Sequence, residues 1–220
     1  MELFKEITQD CQNAQARLVA VSKTKPIASI EGLYEKGQRI FGENKVQELC
    51  QKQEVLPSDI EWHMIGHLQS NKVKYIAPFV SLIHAVDSIK LLKEINKQAR
   101  NNERVIPVLL QIKIASEDSK FGISPKDFNA FMQAYQALDL SHVSINGLMG
   151  MATFTEDKDQ IRKEFQLLQE IFQEVKHNNF KNQPAFKELS MGMSGDYKIA
   201  LEEGSTMIRI GSLLFGHRNY

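Results

Sequence analysis

The sequence holds 220 residues, 42% hydrophobic and 25% charged, a size and mix in which one domain, spanning 1–220, is expected to bury one substantial core. Lysine plus arginine and aspartate plus glutamate each total 27, so the formal net charge is zero and no electrostatic surplus drives binding to a nucleic-acid backbone or an anionic membrane. The first residues, MELFKEITQDCQ, mix acids with bases, and no apolar run approaches the ~18 residues of a membrane span. Nucleic acid and membrane are therefore not expected as partners, and a cytoplasmic, unprocessed chain is.

In chain order, a helix is expected over about residues 2–17, then a strand in LVAVSK (18–23) and a helix in SIEGLYEKG that stops at Gly37. Strands follow in QRIFGEN (38–44), EWHMIG (61–66) and LIHAVD (82–87), before a helix in DSIKLLKEINKQAR with Asp87 or Ser88 as its cap. VIPVLLQIKI (105–114) reads as a fifth strand, and SPKDFNAFMQAYQAL as a helix capped by Ser124 with Pro125 in its first turn. A sixth strand, INGLMGMA (145–152), precedes the longest helix, EDKDQIRKEFQLLQEIFQEVKHN. In that helix Ile161, Phe165, Leu168, Ile171, Phe172 and Val175 share one face and leave the other charged. ELSMGMS (188–194), a short helix in DYKIALEEG, and TMIRIGSLLF (206–215) complete the pattern.

Strand and helix alternate throughout, and the strands read as near-continuous apolar runs, as in parallel sheets covered on both faces. Eight of them in this length predict an α/β fold, a single (β/α)8 or TIM barrel with an additional N-terminal helix. An open doubly wound sheet also alternates, but no G-x-G-x-x-G follows the first strand here. Cys11 and Cys50 lack paired spacing and are expected as reduced thiols.

Barrels of this kind carry their active groups at the C-terminal ends of the strands, with a phosphate site commonly built by the loops after strands seven and eight. Lys23 ends the first strand in AVSKTKP, where Pro26 stops further pairing, so its amine can enter the barrel mouth and condense with an aldehyde. Lys25 has the same parity, and either lysine can instead be a solvated strand-end cation. After the seventh strand, Ser194 and the amides of Gly195 and Asp196 open a helix, and helix N-termini bind phosphate through unpaired N–H groups. The eighth strand carries Arg209 and then Gly211 and Ser212, where a glycine admits an anion to the backbone and a hydroxyl adds a donor. Taken singly, Ser194 can serve as a helix cap and Gly211 as relief from crowding. Asn44, ending the second strand, can donate to a ring oxygen or cap the next helix.

G-M-S-G-D resembles a nucleophile elbow but has Asp196 where G-x-S-x-G needs glycine. His63 and His67 have the i, i+4 spacing of helical zinc ligands, yet Met64 stands where the metalloprotease motif has glutamate and the segment reads as strand. No metal is expected.

At these residues the chain resembles the pyridoxal phosphate homeostasis protein family, also called PLP-binding or proline synthetase co-transcribed homologue proteins. The resemblance runs almost end to end through AVSKTKP (20–26), FGENKVQE (41–48), EWHMIGHLQSNK (61–72), GLMGMA (147–152), LSMGMSGDY (189–197) and GSTMIRIGSLLFG (204–216). It implies a fold-type III barrel like the N-terminal domain of alanine racemase, with pyridoxal 5'-phosphate (PLP) as cofactor. The first lysine of the S-K-T-K-P run, Lys23, would be its Schiff-base partner. By the same resemblance Ser194, Gly211 and Ser212 would hold the phosphate, Arg209 would face the pyridine nitrogen, and Asn44 and Met149 would line the ring.

Arginine only donates and stays charged, so opposite the ring nitrogen it favours the unprotonated ring, a weaker electron sink. Racemisation also needs an acid or base on the second face, which in alanine racemase comes from a further domain and a partner subunit, whereas this sequence ends at Tyr220. The leading expectation is a non-catalytic PLP carrier, a monomer that buffers the aldehyde or delivers it to PLP-dependent apo-enzymes. A small PLP enzyme such as a weak amino-acid racemase is the alternative. A barrel binding another phosphorylated metabolite without a Schiff base is a third reading.

Overall fold

The computed structural model describes residues 2–116 and 121–216. Eight parallel strands close into a barrel in sequence order: β1 (Arg17–Val21), β2 (Ile40–Glu43), β3 (Glu61–Met64), β4 (Leu82–Val86), β5 (Ile106–Gln111), β6 (Val143–Met149), β7 (Glu188–Ser190) and β8 (Met207–Ile210). Around them lie α1 (Glu2–Asn13), α2 (Ile27–Tyr34), α3 (Val46–Val55), α4 (Val73–Ile76), α5 (Ile89–Asn101), α6 (Phe128–Gln136), α7 (Lys158–Asn178), α8 (Tyr197–Glu202) and α9 (Ser212–Phe215). The expected barrel and N-terminal helix are both present.

Several boundaries differ from expectation for local reasons. The N-terminal helix ends at Asn13 because Gln15 takes a left-handed φ of 55°, and Arg17 already belongs to β1. Ser88, not Asp87, caps α5, accepting the Leu91 amide at 3.3 Å. Ser124 caps a turn ahead of α6 rather than α6 itself: its hydroxyl accepts the Lys126 amide, and the helix begins only at Phe128. The apolar run 206–215 is two elements, β8 and α9, separated at Gly211.

The helical faces follow the spacing of apolar residues. Ile161, Phe165, Leu168, Phe172 and Val175 of α7 are buried against the sheet, with Ile171 partly buried at the edge of the same cluster. Ile7 and Cys11 of α1 pack on Leu18, Tyr197, Ile208 and Ile210, so the N-terminal helix covers the seam between first and last strands. Inside the barrel, Val19, Leu82, Ala85, Leu109, Met149 and Met207 form a separate apolar layer.

A polar thread crosses that interior. His63 on β3 and His84 on β4 meet through Nδ1 and Nε2 at 3.0 Å, and His84 Nδ1 lies 3.0 Å from the Ser190 hydroxyl on β7. Ser190 in turn accepts Arg209 Nη1 from β8 at 2.6 Å. Both imidazoles are buried and held neutral. His63 is pushed down to about 3 by burial and then by the charge of Arg17. His84 is driven well below the usual histidine range by burial, with His63, Arg209 and Arg17 adding to the effect.

Two outcomes follow from this packing. A Cβ on Gly147 would stand 1.7 Å from the Glu188 carbonyl oxygen, where the paired strands β6 and β7 cannot part. Gly147→Ala should therefore cost about 3 kcal/mol, read as a lower urea midpoint. The depressed histidines mean that the unfolded chain binds more protons below pH 6.5, so stability falls as pH falls through that value towards the folded pKa. The slope reaches up to about 1.4 kcal/mol per pH unit for each histidine. Urea midpoints between pH 7.5 and 5.5 should show it, and His63→Gln should flatten it by one histidine's share.

Candidate functional site

The C-terminal ends of the strands surround a cavity of about 780 Å³, within the range of roughly 300–1,000 Å³ for small-molecule sites. Lys23, Asn44, Ser194, Arg209, Gly211 and Ser212 all line it. They come from β1, β2, β7 and β8 or the loops after them, because parallel strands deliver their following loops to one end.

Lys23 stands two residues beyond β1, half-buried, in a turn closed by the Lys25 amide donating to the Ser22 carbonyl at 3.0 Å. The neighbouring Lys25 also reaches the cavity wall, but its Nζ donates to the Phe215 and Gly216 carbonyls at 2.9 and 3.1 Å. That ties Lys25 to the end of α9.

Past the adjoining strand β8, Ser194 lies between β7 and α8, and its hydroxyl accepts the Gly211 amide at 3.4 Å. A bond this long is weak, so hydroxyl and amide both lie within reach of one anion. Gly211 is close-packed on β1: a Cβ there would meet the Val21 carbonyl at 3.3 Å. Ser212 follows at the start of α9, exposed.

Arg209 is buried on β8 and reaches the cavity floor. Nη1 donates to Ser190 and Nη2 to the Gly150 carbonyl at 3.0 Å. Burial pushes its pKa down to about 10, with Asp196 acting in the other direction, so it remains a cation at neutral pH. Asn44 precedes the N-cap of α3, which is Lys45, so it does not occupy the capping position. The loops around it are tight: a Cβ on Gly66 would stand 2.5 Å from the Asn44 carbonyl oxygen.

Met149 is the exception. It is buried in the interior apolar layer and is not part of the cavity wall, which Met151 reaches two residues further along. The two share a face by the two-residue period of an extended chain, with Met149 one pleat deeper.

Sequence reasoning missed the walls that follow β3 and β6: Ile65, Met151, Thr153 and Phe154 also line the cavity. The β6 loop is held by Glu164 of α7, which accepts the Thr153 amide at 2.6 Å, the Thr153 hydroxyl at 2.7 Å and the Ser116 amide at 3.3 Å. Glu164 sits within one turn of Ile161 and Phe165, a position that hinted at burial although its residue type did not. His63 belongs to the interior thread, while His67 stacks on Phe121 at 4.5 Å. Among the described residues no cluster of three or more His, Cys, Asp or Glu is placed to hold a metal, and no helix is long and apolar enough to cross a membrane.

A family model described as alanine racemase, N-terminal domain, matches residues 4–219. The pyridoxal phosphate homeostasis protein of Aquifex aeolicus is 38% identical over 99% of this chain and 96% of its own length. Among solved structures, PipY of Synechococcus elongatus PCC7942 with PLP bound superposes with a TM-score of 0.81 at 36% identity, covering 92% of this chain and 93% of that one. Alanine racemase from Bartonella henselae, with covalently bound pyridoxal phosphate, shares the fold: the TM-score is 0.71 at 14% identity, over 98% of this chain and 57% of that one. The chain thus belongs to the alanine racemase N-terminal-domain family and, within it, to the pyridoxal phosphate homeostasis proteins.

Proposed function

We propose that this chain is a single PLP-binding domain over 1–220 that holds the cofactor covalently on Lys23 and serves PLP homeostasis, without catalytic turnover. One observation carries the reading: Lys23, Arg209 and the Ser194–Gly211 pair open on one cavity. These donors fit PLP, with an amine for the aldehyde, a cation for the ring nitrogen, and hydroxyl and amide groups for the phosphate. PLP supplies an aldehyde that a primary amine joins with loss of water. Ser194, Gly211 and Ser212 would hold the phosphate, Arg209 would face the ring nitrogen, and Asn44 would border the ring. Met151 takes the lining role that the family resemblance gave to Met149.

The case against turnover rests on the same wall. Arg209 donates and stays charged, which favours an unprotonated ring nitrogen and a poor electron sink. The titratable groups among the described lining residues are Lys23, Lys25, Asp196 and Arg209. Lys25 is tied to carbonyls and Asp196 accepts the Met193 amide at 2.5 Å, so neither is placed as a second-face acid or base. A carrier of this kind would act as a cytoplasmic monomer, with PLP-dependent apo-enzymes as recipients of the aldehyde. The shared fold with alanine racemase keeps one enzymatic reading testable, weak racemisation.

Borohydride reduction of the PLP-loaded protein followed by peptide mapping should place the adduct on Lys23. Lys23→Ala should lose that adduct and the visible absorbance, and should retain PLP at least tenfold less well through dialysis. An adduct that stays in Lys23→Ala, or maps to Lys25, overturns the assignment. Exchange of the alanine α-proton for deuterium by the loaded wild type, lost in Lys23→Ala, would establish the enzymatic reading instead.

A further inference from the structure

Both residues that flank Lys23 are anchored in a single ionic cluster, buried at Glu43 and Lys52 and partly exposed at Glu48. Lys52 of α3, almost fully buried, donates to the Ser22 carbonyl at 2.8 Å and to Oε1 of both Glu43 and Glu48 at 2.7 Å. Glu43, fully buried at the end of β2, also accepts the Ser22 hydroxyl at 2.6 Å. Glu48 accepts the backbone amide of Thr24 at 2.6 Å. Ser22 is thus held by its hydroxyl and carbonyl and Thr24 by its amide, with Lys23 between them.

The backbone at Thr24 has a φ of +64°, a left-handed conformation that a β-branched residue adopts only under external constraint. The charge-assisted bond from its amide to Glu48 is such a constraint. The cluster is also a costly way to make a turn. It buries an ion pair and leaves Glu43 Oε2 without a hydrogen-bond partner, where an apolar turn would avoid desolvating charge. An arrangement that retains both a strained residue and an unsatisfied oxygen specifies direction more than stability. Here the direction is that of the residue between the two anchors, whose side chain reaches the cavity wall.

We propose that Glu48 is the positioning residue for Lys23: by holding the Thr24 amide it fixes the left-handed turn that sends the lysine amine into the cavity. Glu48 does not touch the cavity wall itself. Lys52 orients Glu48, and through Ser22 it ties the other side of the turn to the same helix. The inference rests on the reading of Lys23 as the covalent partner of PLP, but it concerns the amine's presentation, which is measurable without PLP.

The test compares Glu48→Ala with Glu48→Gln, following the rate of Lys23 labelling by trinitrobenzenesulfonate, its rate of borohydride-trapped reaction with PLP, and deuterium exchange at the Thr24 amide. Glu48→Ala is expected to slow both reactions of Lys23 about tenfold and to speed exchange at Thr24. Glu48→Gln, which keeps an acceptor for the amide, should be slowed less. Adding Thr24→Gly to Glu48→Ala should recover part of the loss, because glycine holds a positive φ without help, and labelling of Lys25 and equal urea midpoints of the folded variants separate a change at Lys23 from a general loss of stability. Thr24→Pro provides a version that leaves every charge in place, since position 24 is exposed and proline removes the amide and sets φ near −65°. It too should slow Lys23 about tenfold, and it decides the matter if Glu48→Ala does not fold. Unchanged Lys23 rates in folded Glu48→Ala, or in Thr24→Pro, overturn the proposal. Absence of any PLP adduct on Lys23 in the wild type instead overturns the proposed function, and the labelling rates then still judge Glu48.

Discussion

Arg17 with Met207, Leu18 with Ile208, Val19 with Arg209 and Ala20 with Ile210 join the first strand to the last. Through this pairing, residues nearly the whole chain apart come to share one rim. Lys23 follows β1 by two residues and Gly211 follows β8 directly, so the register that aligns Ala20 with Ile210 also brings Lys23 and Gly211 to one cavity. The close approach of Gly211 to the Val21 carbonyl and the tie from Lys25 to the end of α9 are both consequences of that seam. α1 lies across its outer side, which gives the additional helix a structural reason to precede the barrel.

The order of elements was legible because parallel strands buried on both faces leave long apolar runs, and because the charged face of α7 contrasts with its apolar one. Lys23, Asn44, Ser194, Arg209, Gly211 and Ser212 were legible as strand-end residues, since one architecture delivers all such ends to a single mouth. The split of residues 206–215 was not, because Gly211 interrupts a run that is apolar on both sides and only the closed barrel shows that the strand must stop there. Met149 and Met151 were indistinguishable for a related reason: period two fixes the face, but depth depends on how the strands tilt. The ionic cluster of Glu43, Glu48 and Lys52 escaped because Glu48 and Lys52 fit an exposed helix face equally well and Glu43 an exposed strand end. Only tertiary packing tells a buried lysine such as Lys52 from the solvated ones elsewhere in the chain.

The cavity is therefore assembled from two kinds of part. Loops seven and eight bring together one hydroxyl and one backbone amide, Ser194 and Gly211, whose mutual bond is long. The β1 turn and the β6 loop are held by carboxylates that sit outside the cavity, Glu48 and Glu164, and neither contributes a donor to it.

The thread from Arg209 to His63 has a fixed sense. A guanidinium cannot accept, so Ser190 receives its bond from Arg209 and its own buried hydroxyl proton is satisfied by pointing to His84 Nδ1. His84 must then carry its proton on Nε2 and give it to His63 Nδ1, which sets both tautomers from one end. The reverse sense would leave the buried Ser190 proton without an acceptor. Its members brace Arg209 across the width of the barrel.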